Sequence, residues 1–154
     1  MVHRGIATIS GALLLSFLWL GNLEPQFVLL HFYQSLIYLA IILMLFYFED
    51  RYAYMLGMIA PAAWLILNYL TGILGGAMRQ VKRLMSAESP SNPVTLVAAI
   101  IAVLSVLMII FCAYRWKREY SGLGKGLSTF VVSLVVVIVY YGLLIYWFWH
   151  MVPD

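Results

Sequence analysis

Four polar side chains, His31, Gln34, Ser35 and Tyr38, recur at i, i+3, i+4 and i+7, which places them on one face of an α-helix. Trp64, Asn68, Thr71 and Gly72 repeat with similar periodicity, and Pro61 before them is positioned to bend a helix and free a backbone carbonyl. Joined, the two faces would make a small polar pocket in which His31, Gln34, Tyr38, Asn68 and Thr71 bind a quinone head, a lipid head or a solute. His31 is its ionisable member. The same groups have a plainer use as interhelical hydrogen bonds of about 0.6–2 kcal/mol each. Gly72 and Gly76, one turn apart, would assist by letting two helix backbones approach closely. A third chemistry is redox: His31 and His150 at one membrane depth could ligate the iron of haem b from its two sides. His3 falls at the opposite end of that arrangement and reads as a solvated terminal residue.

Other chemistry is not spelled out. The chain has no His-Glu-x-x-His zinc helix, no Gly-x-Ser-x-Gly elbow and no Cys-x-x-Cys pair. Gly122-x-Gly124-x-Gly126 lacks the spacing and the strand context of a phosphate loop and reads as a flexible turn. Cys112 is the one cysteine, which leaves neither a disulfide nor a metal cluster within the chain and suits a small packing residue. None of the six carboxylates falls inside an apolar run, so an ion-coupled carrier lacks the intramembrane acid it ordinarily uses.

The elements that hold these side chains are marked out by where charge is absent. Of 154 residues 65% are apolar and 10% charged, with mean hydropathy +0.99, too little polar surface for a water-soluble fold. Charge-free runs at 5–23, 25–48, 52–78, 89–114 and 126–153 each approach or exceed the ~20 residues that span a bilayer as helix. They show no alternating polarity of the kind a membrane β-barrel requires. The expected fold is an all-α integral membrane protein, a single five-helix transmembrane domain over 1–154 with helices near 5–22, 27–48, 53–77, 94–115 and 127–149. Pro25, Gly75-Gly76, the polar 86–93 stretch and the glycine-rich 121–126 stretch mark the breaks.

Lysine and arginine set the orientation. With the N-terminus cytoplasmic, six of them (Arg4, Arg51, Arg115, Lys117, Arg118, Lys125) lie inside and three (Arg79, Lys82, Arg83) outside, which favours N-in, C-out. The sequence around residue 21 carries no small-x-small cleavage site, so the first run is expected to stay as a signal anchor. The basic 79–85 stretch is expected to lie along the headgroups as a short interfacial helix. Tyrosine and tryptophan gather at the proposed interfaces, as rings with a polar edge do.

Taken together, these features predict a multi-pass protein of a prokaryotic plasma membrane, with short loops and no Asn-x-Ser/Thr site. Its expected role is that of a non-catalytic subunit or assembly partner of a larger membrane complex, in contact with the lipid bilayer and with other subunits or copies of itself. The alternatives are a binding or transport protein for a small apolar or weakly polar ligand, and a haem-b redox subunit. Nucleic acid is not an expected partner, since no folded basic surface is available for it.

Overall fold

A computed structural model describes residues 4–47, 49–86, 92–120 and 126–148. Among them there is no strand, and six α-helices succeed one another: α1 (Arg4–Leu23), α2 (Val28–Phe46), α3 (Asp50–Leu70), α4 (Ile73–Met85), α5 (Pro93–Tyr120) and α6 (Gly126–Phe148). A single 3₁₀ turn, Pro25–Phe27, leads into α2, with the proline at a position where no amide hydrogen is needed. All but α4 are long and apolar enough to cross a membrane, and the chain is a helical bundle of an integral membrane protein.

The third expected helix, 53–77, is in fact two. Thr71 Oγ1 bonds back to the Leu67 carbonyl at 3.0 Å, and Gly72 adopts φ +76, a left-handed conformation that ends α3. The 21 residues of α3 already match the hydrocarbon thickness, so the helix beyond Gly72 has no need to be apolar throughout. It is instead amphipathic: Ala77 and Gln80 are buried while Arg79, Lys82 and Arg83 are exposed. At the other extreme α5 runs five residues beyond the expected 94–115, to Tyr120, with an Arg115–Glu119 ion pair at 3.6 Å along it. Charge stops a membrane span, but an i,i+4 pair in headgroup water prolongs a helix.

Helix α3 is the hub. It packs on α2, α4, α5 and α6, and 44% of its apolar stretch is buried against 28% for α6, which leans mainly on α3. Helices α1, α2, α3 and α5 enclose the core, closed by α1 against α5; α6 and α4 flank it on either side of α3. At the centre Phe17 of α1 stacks on Tyr38 of α2 (5.6 Å, 17°) and meets Trp64 of α3 edge-on (5.8 Å, 84°). Ser10 donates to Met108 Sδ at 3.8 Å, linking α1 to α5.

Close contact of α3 with α5 depends on Gly57. A Cβ there would lie 2.6 Å from Cys112 Sγ and 3.0 Å from Met108 Cε, distances no folded chain tolerates without movement. Cys112 is thus the buried packing residue its isolation suggested. On α6 the inward residues are Thr129, Ser133, Val137, Tyr141 and Leu144, mostly small and a turn apart, which lets this helix lie close against its neighbours. Two interhelical pairings tie it down: Tyr141 donates to the Ala60 carbonyl (3.2 Å), and Tyr33 and Tyr140 each donate to the other's backbone carbonyl with rings stacked 4.5 Å apart.

Candidate functional site

Where α2 begins and α3 and α6 end, the three helices splay and leave a cleft of about 330 Å³. Phe27, Leu30 and Gln34 line it from the α2 side, Trp64, Leu67, Asn68 and Thr71 from α3, and Leu144, Ile145 and Phe148 from α6. On α6 the Tyr33–Tyr140 pair and the Tyr141 bond to α3 lie one to two turns before the cleft, and Trp147 packs edge-on against Tyr33 (5.9 Å) beside it. Its walls are apolar apart from three groups: the Gln34 and Asn68 amides and the Thr71 hydroxyl.

The hydrogen bonding of those groups is incomplete. Asn68 donates its amide nitrogen to the Trp64 carbonyl (2.8 Å), while its carbonyl oxygen has no partner among the described residues. Gln34 uses Oε1, 3.2 Å from His31 Nδ1, and its amide nitrogen is likewise unpaired among those residues. Thr71 donates to the Leu67 carbonyl. A guest with an apolar body and one or two carbonyl or hydroxyl groups would meet both a donor and an acceptor here.

Behind Gln34 stands a short chain of polar contacts. His31 is buried at 6% exposure, with Nε2 3.2 Å from Glu24 Oε2 and Nδ1 against Gln34. Glu24 is two helical turns before His31, just ahead of the 3₁₀ turn. That i,i+7 spacing was available in the sequence, where Glu24 reads only as a boundary charge. In the fold it is the partner of the one histidine among the described residues.

Of the five residues expected to bind ligand, Gln34, Asn68 and Thr71 line the cleft and His31 touches it through Gln34. Tyr38 does not belong. It is fully buried inside the bundle, stacked on Phe17, with its hydroxyl beside Ser105 of α5 and outside hydrogen-bonding geometry. An i to i+7 set spreads over roughly 100° of helix circumference, wide enough for its edge to look at one neighbour and its centre at another. Gln34 is one edge, toward α3 and α6; His31 and Tyr38 are the centre and Ser35 the other edge, and a Cβ on Gly21 of α1 would lie 3.6 Å from His31 Cβ.

The glycine pair is also corrected. Gly72 is the joint between α3 and α4, with nothing near the place a side chain would occupy, so Gly72 and Gly76 do not form a stripe on one helix. Gly76 faces Thr95 Cγ2 at an ordinary 3.6 Å. For haem, His150 and His3 lie outside the described residues, and both ring nitrogens of His31 are within hydrogen-bonding distance of oxygen atoms, so an iron ligand there would have to displace Glu24 or Gln34. Comparison with known protein families, with curated proteins and with solved structures finds no match to this chain.

Proposed function

We propose that the protein binds a small, largely apolar molecule bearing carbonyl or hydroxyl groups, of the quinone or lipid-head kind, in the cleft between α2, α3 and α6. The observation that carries this is the convergence of Gln34, Asn68 and Thr71, from two helices, on one otherwise apolar cavity. Polar groups inside a membrane are expensive to leave half-satisfied, and the Asn68 oxygen and Gln34 nitrogen would be completed by such a guest. The surroundings of the cleft are those of a prokaryotic plasma membrane in this reading, with the N-terminus cytoplasmic and the cleft toward the outer leaflet.

Trp64 in the cleft wall supplies the assay. Decylubiquinone added to purified protein in detergent should quench tryptophan fluorescence saturably, and Trp64→Phe should remove most of that signal. Asn68→Leu and Gln34→Leu should each weaken binding about tenfold, the worth of one hydrogen bond of ~1.4 kcal/mol. Tyr38→Phe, away from the cleft, should leave it unchanged. Linear, non-saturating quenching, or unaltered affinity in both leucine variants, would overturn the proposal.

A second reading makes the chain a non-catalytic subunit of a larger membrane complex, and α6 favours it. Val131, Val135, Val139 and Leu143 form an exposed aliphatic stripe, four residues apart, on the side of α6 turned away from the bundle. Extraction in mild detergent would then yield the chain with a partner at fixed stoichiometry, whereas a monodisperse single component would refute this reading.

A further inference from the structure

Helix α4 is the element the proposed ligand site leaves unused. Its residues Leu74, Met78, Val81 and Met85 fall at i, i+4, i+7 and i+11, one edge of the helix, and they border two apolar grooves over α5. The grooves measure about 430 and 400 Å³, and they share Val81, Ala99 and Val103, so they run on from one another along α4. Lys82 stands four residues after Met78 and three before Met85, which places it next to the helix edge that borders both. Arg79, a turn before Lys82, is about 60° further round, and Arg83 is about 100° from Lys82, on nearly the opposite side from Val81; all three are exposed. The helix contains no acidic residue to neutralise them.

Charge and apolar surface are therefore set side by side. The helix crosses α5 closely because Ala77 meets Ala98 and Ala99, so the grooves are bounded by fixed small-residue packing and not by loosely laid side chains. A headgroup plane alone would need the cations but not the grooves. A partner helix would fill the grooves but would have to cover the Lys82 charge beside them. We infer that α4 and the α5 surface beside it bind one anionic diacyl phospholipid, its phosphate held by Lys82 with Arg79 one turn before it, its acyl chains lying over Val81, Ala99 and Val103. Arginine and lysine donors match a phosphate diester, and aliphatic walls match the chains.

The experiment titrates the full-length protein in neutral detergent with dioleoyl phosphatidylglycerol or dioleoyl phosphatidylcholine and tracks the thermal midpoint. The anionic lipid should act at about tenfold lower concentration than the zwitterionic one, and Arg79→Gln/Lys82→Gln/Arg83→Gln should abolish that preference. Val103 is half exposed, so Val103→Trp fills the shared groove without entering the bundle; it should weaken the response to phosphatidylglycerol although every cation remains. Ile100→Trp tests the outer groove in the same way should the first variant fold poorly. Inorganic phosphate alone should give no shift. Equal response to both lipids, a preference that survives the triple variant, an unchanged response in the tryptophan variants or a full shift with phosphate would each overturn the assignment.

Discussion

Gly57 shows how a single missing methyl decides a contact. In a helix alanine is favoured over glycine by about 1 kcal/mol, so Gly57→Ala would be stabilising if the site were open. The clash with Cys112 Sγ reverses the sign, and the variant should lose about 1–3 kcal/mol in thermal or denaturant unfolding. Cys112→Ala removes the shorter clash and leaves only the flexible Met108 Cε at 3.0 Å to shift, so Gly57→Ala should cost much less on the Cys112→Ala background than alone. Additive losses would mean that the two helices are not in this register. Tyr38 supplies a case of the opposite kind. Its hydroxyl is buried without a hydrogen bond, and Tyr38→Phe should be neutral or stabilising by up to about 1 kcal/mol, whereas Tyr141→Phe, which loses the bond to the Ala60 carbonyl, should cost about 1 kcal/mol. Reversal of that order in melting experiments would contradict the placement of the two rings. Neither contrast is visible in the sequence, where both tyrosines are simply aromatic residues in an apolar run.

Among the elements, the joint between α3 and α4 gives the sharpest test. A left-handed residue other than glycine costs about 1–2 kcal/mol, so Gly72→Ala should destabilise by that amount. Gly76→Ala, meeting Thr95 Cγ2 at 3.6 Å and the Arg79 guanidinium at 3.9 Å, both ordinary contacts, should be tolerated or slightly stabilising. If Gly76→Ala is the more damaging of the two, the glycines work as a packing stripe on one continuous helix. The sequence reads as continuous there because residues 52–78 contain no charge, and absence of charge cannot distinguish one long helix from two helices with a joint between them. The glycine is the signal, but glycine serves equally at close helix crossings, and only the backbone angle separates the two uses. Helix α5 departs from expectation the other way: its last turns carry Arg115, Lys117, Arg118 and Glu119, which mark the end of the apolar span and not of the helix.

For the molecule as a whole, topology is the measurement that orders everything else. The N-in, C-out proposal places the α3–α5 connection outside and the α2–α3 connection inside. In intact cells Ser86→Cys should react with a membrane-impermeant maleimide, and Glu49→Cys should react after permeabilisation only; both positions are exposed, and native Cys112 is buried, which keeps the background low. The converse pattern would invert the bundle and move the cleft to the inner leaflet, while leaving its lining intact, because the cleft is made by the ends of α3 and α6 and the start of α2 whichever way the bundle faces.

By itself the sequence determined that the chain is helical and has five apolar segments long enough to cross a membrane, since hydrocarbon tolerates no unpaired backbone and charge marks the limits of each run. It also determined the angular face on which each polar residue stands, which a fixed rotation of about 100° per residue makes unavoidable. Which neighbour that face meets was decided by tertiary packing alone. In a chain apolar nearly all round, a helix has no preferred side to bury, so contact partners are chosen by shape: Gly57 against Cys112, Phe17 against Tyr38 and Trp64, small residues of α6 against its neighbours. Those choices turned Gln34 toward Asn68 and Tyr38 away from it, and they paired His31 with Glu24 across the start of a helix.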